Sequence, residues 1–184
     1  MVVLNRSLTR ICLYIISVLV AGPVLAASES EETFAFLSRT ISEHSHLTHT
    51  NHGIPIDMMR SIERRNDDVC QARINRALKW GGEKGHIFIR GETDFDFHDV
   101  GLADISVERR THKLKPFYYV IIHREVEFAT YSAFKDTGAY RFTGGYLDDQ
   151  FGVSRVYIIL NDVQDVAEKI AAAMRRMIQL CRPV

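Results

Sequence analysis

HIFIRGETDFDFH, residues His86 to His98, decides the fold class, because its side chains sort by twos. Ile87, Ile89, Phe95 and Phe97 are apolar, while Arg90, Glu92, Asp94, Asp96 and His98 between them are polar. That alternation is a half-buried strand with one face in water. Downstream, Asp99-Val100-Gly101 suits a three-residue hairpin loop with glycine at the left-handed position. LADISVERRTH (102–112) then runs back with Ile105 and Val107 inward. PFYYVIIHREVEFATYS (116–132) reads as one longer strand, with Val120, Ile122, Val126 and Phe128 in the apolar register. GAYRFTGGY (138–146) and GVSRVYIIL (152–160) supply two more.

Upstream of His86 the spacing is three and four. Residues 28–42 form a helix with Phe34, Leu37 and Ile41 in one stripe and Glu29, Glu31 and Glu32 at its N-terminal dipole. Pro55 opens a second helical segment carrying Ile56, Met59 and Ile62. Asn66-Asp67-Asp68 caps a third, which presents Cys70, Ile74, Ala77 and Leu78 before Gly81-Gly82 stops it. At the other end Asn161 or Asp162 caps a helix with Val163, Val166, Ala167, Ile170, Met174, Met177, Ile178 and Cys181 on one side. The expected architecture is α+β: an antiparallel meander of about five strands with N-terminal helices and a C-terminal helix on one face, a two-layer sandwich.

MVVLNRSLTR, an apolar run from Ile11 to Ala27 broken by Gly22-Pro23, and the small residues around Ala26 make a cleaved secretory signal peptide over residues 1–26. The run is shorter than the roughly 20 residues a spanning helix needs. Residues 27–184 then form a single domain without a membrane span, periplasmic or secreted. Loss of Arg6 and Arg10 leaves 21 basic against 23 acidic side chains. That balance excludes a general nucleic-acid binder, which needs a basic face. Cys70 and Cys181 remain, an even count that in an oxidising compartment predicts one disulfide, here between two helices.

Matching the apolar sets of the expected hairpin places Phe95 opposite Ile105, hence Asp96 opposite Asp104, Asp94 opposite Ser106 and Glu92 opposite Glu108. His123, Glu125 and Glu127 join the same outer face. Asp94, Asp96, Asp104, Glu125 and Glu127 are accordingly the expected contact residues for a cationic surface on a protein or other envelope component. The leading functional reading is a non-enzymatic binding or accessory protein with no required cofactor.

Two other readings compete. EHSHLTHTNHG (43–53) holds four of the chain's eight histidines, and an irregular loop would let three of His44, His46, His49 and His52 converge on zinc or copper, with Glu43 or Asp57 as a further ligand. No single helix face or strand face presents all four, and no HExxH motif or EF-hand acidic spacing occurs. The third reading is a carboxylate hydrolase acting on an envelope glycan, since Asp94 and Asp96 would point the same way about 7 Å apart, with His98 as a base. Any alternating acidic strand offers that spacing. No phosphate loop or Gly-x-Ser-x-Gly elbow is present.

Overall fold

A computed structural model describes residues 28–51, 54–82, 85–112, 115–137, 150–161 and 163–182. Helix α1 covers 28–44 and is followed by strands β1 (Leu47–Asn51), β2 (Ile54–Arg65), β3 (Asp68–Gly82) and β4 (Gly85–Asp96). Two 3-10 turns, Phe97–Asp99 and Leu102–Asp104, lead into β5 (Ile105–His112), β6 (Lys115–His123) and β7 (Ala129–Thr137). β8 (Gln150–Val153), β9 (Arg155–Leu160) and helix α2 (Gln164–Cys181) complete the chain. The expected signal peptide and strand 138–146 lie outside the described residues.

The α+β class and the antiparallel pairing are as expected, but the strands divide between two sheets. One sheet has six strands in the order β1-β2-β3-β4-β7-β8; the other has three, in the order β5-β6-β9. Both helices and both sheets feed one core. Phe34, Leu37 and Ile41 of α1 and Ile170, Met174, Met177 and Ile178 of α2 join Ile62, Ile74 and Phe95 of the large sheet. Val120, Ile122 and Ile158 of the small sheet close it. The eight buried positions of α2 recur at three and four residues, so one stripe enters the core while Glu168, Lys169 and Arg176 face solvent. Among the described residues no helix is long and apolar enough to cross a membrane.

The largest correction concerns residues 54–82. The two helices expected there are the strands of a long hairpin, β2 and β3, with Ile62 opposite Ile74 and Met58 opposite Leu78. Ile56, Met59 and Ile62 imitate a helical spacing, yet Met59 is exposed and belongs to the other face. The true inward set on β2 runs by twos through Met58, Arg60 and Ile62; on β3 it runs through Ala72, Ile74, Arg76 and Leu78. The cap expected at Asn66-Asp67 is the hairpin turn itself, and both residues have positive φ, 57° and 59°. Two consecutive left-handed residues define the type I′ geometry that matches strand twist.

Three smaller corrections follow from the same pairing. β4 and β5 do not form a hairpin: β4 lies between β3 and β7, whereas β5 pairs with β6. The buried side chains of Phe97 and Val100 pin the connection between the sheets. The single strand expected over 116–132 is broken at 124–128, so that its halves serve different sheets. At the start of α2, Val163 is the N-cap and makes no side-chain cap bond. Asn161 instead donates its backbone N–H to the His44 carbonyl and its side-chain N–H to the His46 carbonyl, joining the end of β9 to the end of α1.

Cys70 and Cys181 form a disulfide with a Cα–Cα distance of 5.7 Å, closing a sequence separation of 111 residues. It joins a strand to a helix, β3 to α2, rather than two helices. In the chain-entropy account a loop this long stabilises the fold by about 4–5 kcal/mol. A second tie runs between the helices, where Arg176 Nε donates to Glu29 at 2.7 Å.

Candidate functional site

The five carboxylates expected on one face occupy three different settings. Asp94 sits opposite Arg73 on the neighbouring strand β3 and receives a two-pronged donation from it, Nε at 2.7 Å and Nη2 at 2.9 Å. Arg65 approaches the same carboxylate at 3.4 Å, and Arg73 also reaches Glu92 at 3.0 Å. The Asp94 hydrogen bond, against a smaller opposing cost of burial, holds the Arg73 guanidinium well above its ordinary pKa. Asp96 caps the first 3-10 turn, accepting the His98 backbone N–H at 2.8 Å and lying 2.6 Å from the His98 ring nitrogen. Asp104 accepts the Gly101 N–H at 2.7 Å and lies 3.6 Å from Arg124.

The expected opposition of Asp96 to Asp104 is therefore absent, because the strands that would carry it belong to different sheets. Gln71 faces Asp96 instead. Both oxygens of Asp94 are engaged by Arg73, and one Asp96 oxygen already serves the following turn.

Glu125 and Glu127 differ from these three. They flank Val126 in the bend between β6 and β7; all three are exposed, Val126 at 58%. The bend is tied at both ends to the turn between β8 and β9: Arg124 donates its N–H to the Ser154 carbonyl at 3.0 Å and Phe128 to the Val153 carbonyl at 3.1 Å. The Glu127 side chain lies directly over Gly152, where any Cβ would collide with it. A glycine there lets the bend sit flat on β8. Among the described residues neither glutamate is in an ion pair.

Over residues 43–51 the histidine segment is a helix end, a short connector and a strand rather than an irregular loop. His44 ends α1, His46 is exposed in the short connector, and His49 lies in β1 opposite Ile56. The His49 side chain and His52 lie outside the described residues. Among the described residues no group of three histidine, cysteine, aspartate or glutamate side chains is arranged to hold a metal ion.

Sequence reasoning missed a third cluster. Arg60 and Arg76 stand directly opposite each other on β2 and β3, both in the apolar register of their strands. Arg60 is only 6% exposed and Arg76 is half-buried. Arg60 Nη1 and Arg76 Nε are buried and have no hydrogen-bond partner among the described residues. No described carboxylate pairs with either arginine. Burial first, then the facing Arg76, lower the Arg60 pKa to about 10, with Tyr119 opposing the shift.

Tyr119 lies on the face of the small sheet turned away from Val120 and Ile122. Its ring meets Tyr157 edge-on at 6.4 Å, and the Arg110 guanidinium stacks 5.0 Å above it. Continuing the row of Arg60 and Arg76 across the large sheet, Gly91 is the next residue. The Tyr131 hydroxyl fills the space a side chain at Gly91 would take, 2.7 Å from the position of a Cβ. The sequence signal for this cluster is a pair of arginines that interrupt two period-two runs. It becomes visible only when those runs are read as strands.

Comparison with known proteins adds no family: no family model matches the chain, and no curated protein or solved structure matches it either.

Proposed function

We propose that the protein is an exported, non-enzymatic binding factor that meets a macromolecular partner through the Glu125-Val126-Glu127 bend. The observation that supports this reading is an exposed apolar side chain framed by two exposed carboxylates on a segment tied down at both ends. A tethered segment loses little conformational freedom on association, so more of its contact energy appears as affinity. The matching surface is a shallow apolar patch on another protein with lysine or arginine at its rim. The Cys70–Cys181 disulfide supports an oxidising compartment, periplasmic or secreted.

The experiment compares the oxidised protein with a Glu125→Gln/Val126→Ser/Glu127→Gln variant in crosslinking and capture from the envelope fraction. A specific protein retained by the original chain, lost with the variant and weakened by raising salt from 50 to about 300 mM is expected, since rim charges are screened over about a Debye length. Equal retention by the two chains contradicts the reading.

A further inference from the structure

Two arginines facing each other inside a sheet are a costly arrangement. Like charges directly opposed across a ladder repel, and a buried guanidinium is tolerated when its charge and its donors are matched. Here the row Arg60–Arg76–Gly91 brings two cations together beside a glycine whose side-chain space the Tyr131 hydroxyl fills. The alternation that makes β2 and β3 strands would be satisfied by two aliphatic residues at these sites. Their presence in the apolar register calls for a counter-charge. Among the described residues none is supplied, and two buried N–H groups stay unpartnered.

We propose that Arg60 and Arg76 form a binding site for a doubly charged phosphoryl group, beside Gly91 and Tyr131. Charge selects the ligand. A monocarboxylate would leave the pair with a net positive charge, whereas a phosphate monoester carries about −1.5 to −2 at neutral pH and offers three acceptor oxygens. Two planar guanidinium forks suit that group better than ammonium side chains would. Arg76 is half-buried, so part of its side chain reaches the surface. The site is separate from the 124–128 bend and does not rest on the partner reading.

The experiment is calorimetric titration and thermal melting of the oxidised chain with inorganic phosphate and with glycerol phosphate. Ionic strength is held constant with chloride, and Arg76→Met is run in parallel. Saturable binding is expected, with a rise in melting temperature of roughly 5–10 °C at a hundred times Kd that chloride does not reproduce. Arg76→Met should fold and bind at least tenfold more weakly. A glycerol phosphate affinity above that of phosphate assigns the group to an organic ester; equal affinities assign free phosphate, and both support the site. Should Arg76→Met fail to fold, Arg76→Lys, which keeps the charge but loses the fork, replaces it with the same expectation. Absence of binding by the original chain overturns the proposal, as does undiminished binding by a folded Arg76 variant.

Discussion

Gly91 carries a constraint that no property of its own strand explains. It lies in β4 opposite Arg76, and the Tyr131 ring leans into the space above it, with the hydroxyl 2.7 Å and a ring carbon 3.0 Å from where a Cβ would stand. Gly91→Ala therefore forces Tyr131 aside and is expected to destabilise the protein by about 1–3 kcal/mol. Urea unfolding checks this, and combining the change with Tyr131→Phe should recover part of the loss, because the closest contact is the hydroxyl. At this scale the sequence is deceptive. An arginine in an apolar strand register looks like an error in the assignment, so Arg60 and Arg76 argue for helix until the register is known. Cys70 and Cys181 were readable from the start, since with Cys12 assigned to the expected leader only one pairing is left to make.

Among the elements, the β2–β3 hairpin shows where periodicity fails and turn chemistry should have been heard. Asn66 and Asp67 sit between two runs that alternate, and Asn-Asp tolerates the left-handed pair a tight hairpin needs. Read as a helix cap, the same two residues gave the wrong answer because Met59 and Ala77 supply apolar positions at helical spacing on the solvent-facing side of their strands. Replacing Asp67 with glycine removes the cost of a positive φ, here 59°, and should raise stability by about 0.5–1 kcal/mol, read as a higher urea midpoint at constant slope. A helix cap would respond in the opposite direction, since aspartate there outranks glycine. The helix α2 was legible because its eight buried residues make one uninterrupted stripe with no arginine inside it.

For the whole molecule, the change of period near residue 85 was enough to indicate α+β, but it did not separate two sheets. That division depends on whether β4 and β5 pair, and alternation looks the same whether the next strand returns beside its neighbour or crosses to another sheet. The opposition of Asp96 to Asp104 inferred from their pairing is lost for this reason, with Asp94 on Arg73, Asp96 in a turn and Asp104 beside Arg124. The disulfide fastens β3 of the large sheet to α2 across the shared core. Cys70→Ala/Cys181→Ala, or reduction under native conditions, is expected to cost about 2–5 kcal/mol; a denaturation midpoint unmoved by reductant would contradict that linkage.

Backbone NMR of the oxidised chain over residues 54–82 tests the hairpin most directly, because the phosphoryl site depends on Arg60 facing Arg76. Strand-type carbon shifts with cross-strand contacts linking residue 60 to 76 and residue 62 to 74 are predicted. Helical shifts with contacts between residues three apart in that segment would contradict it.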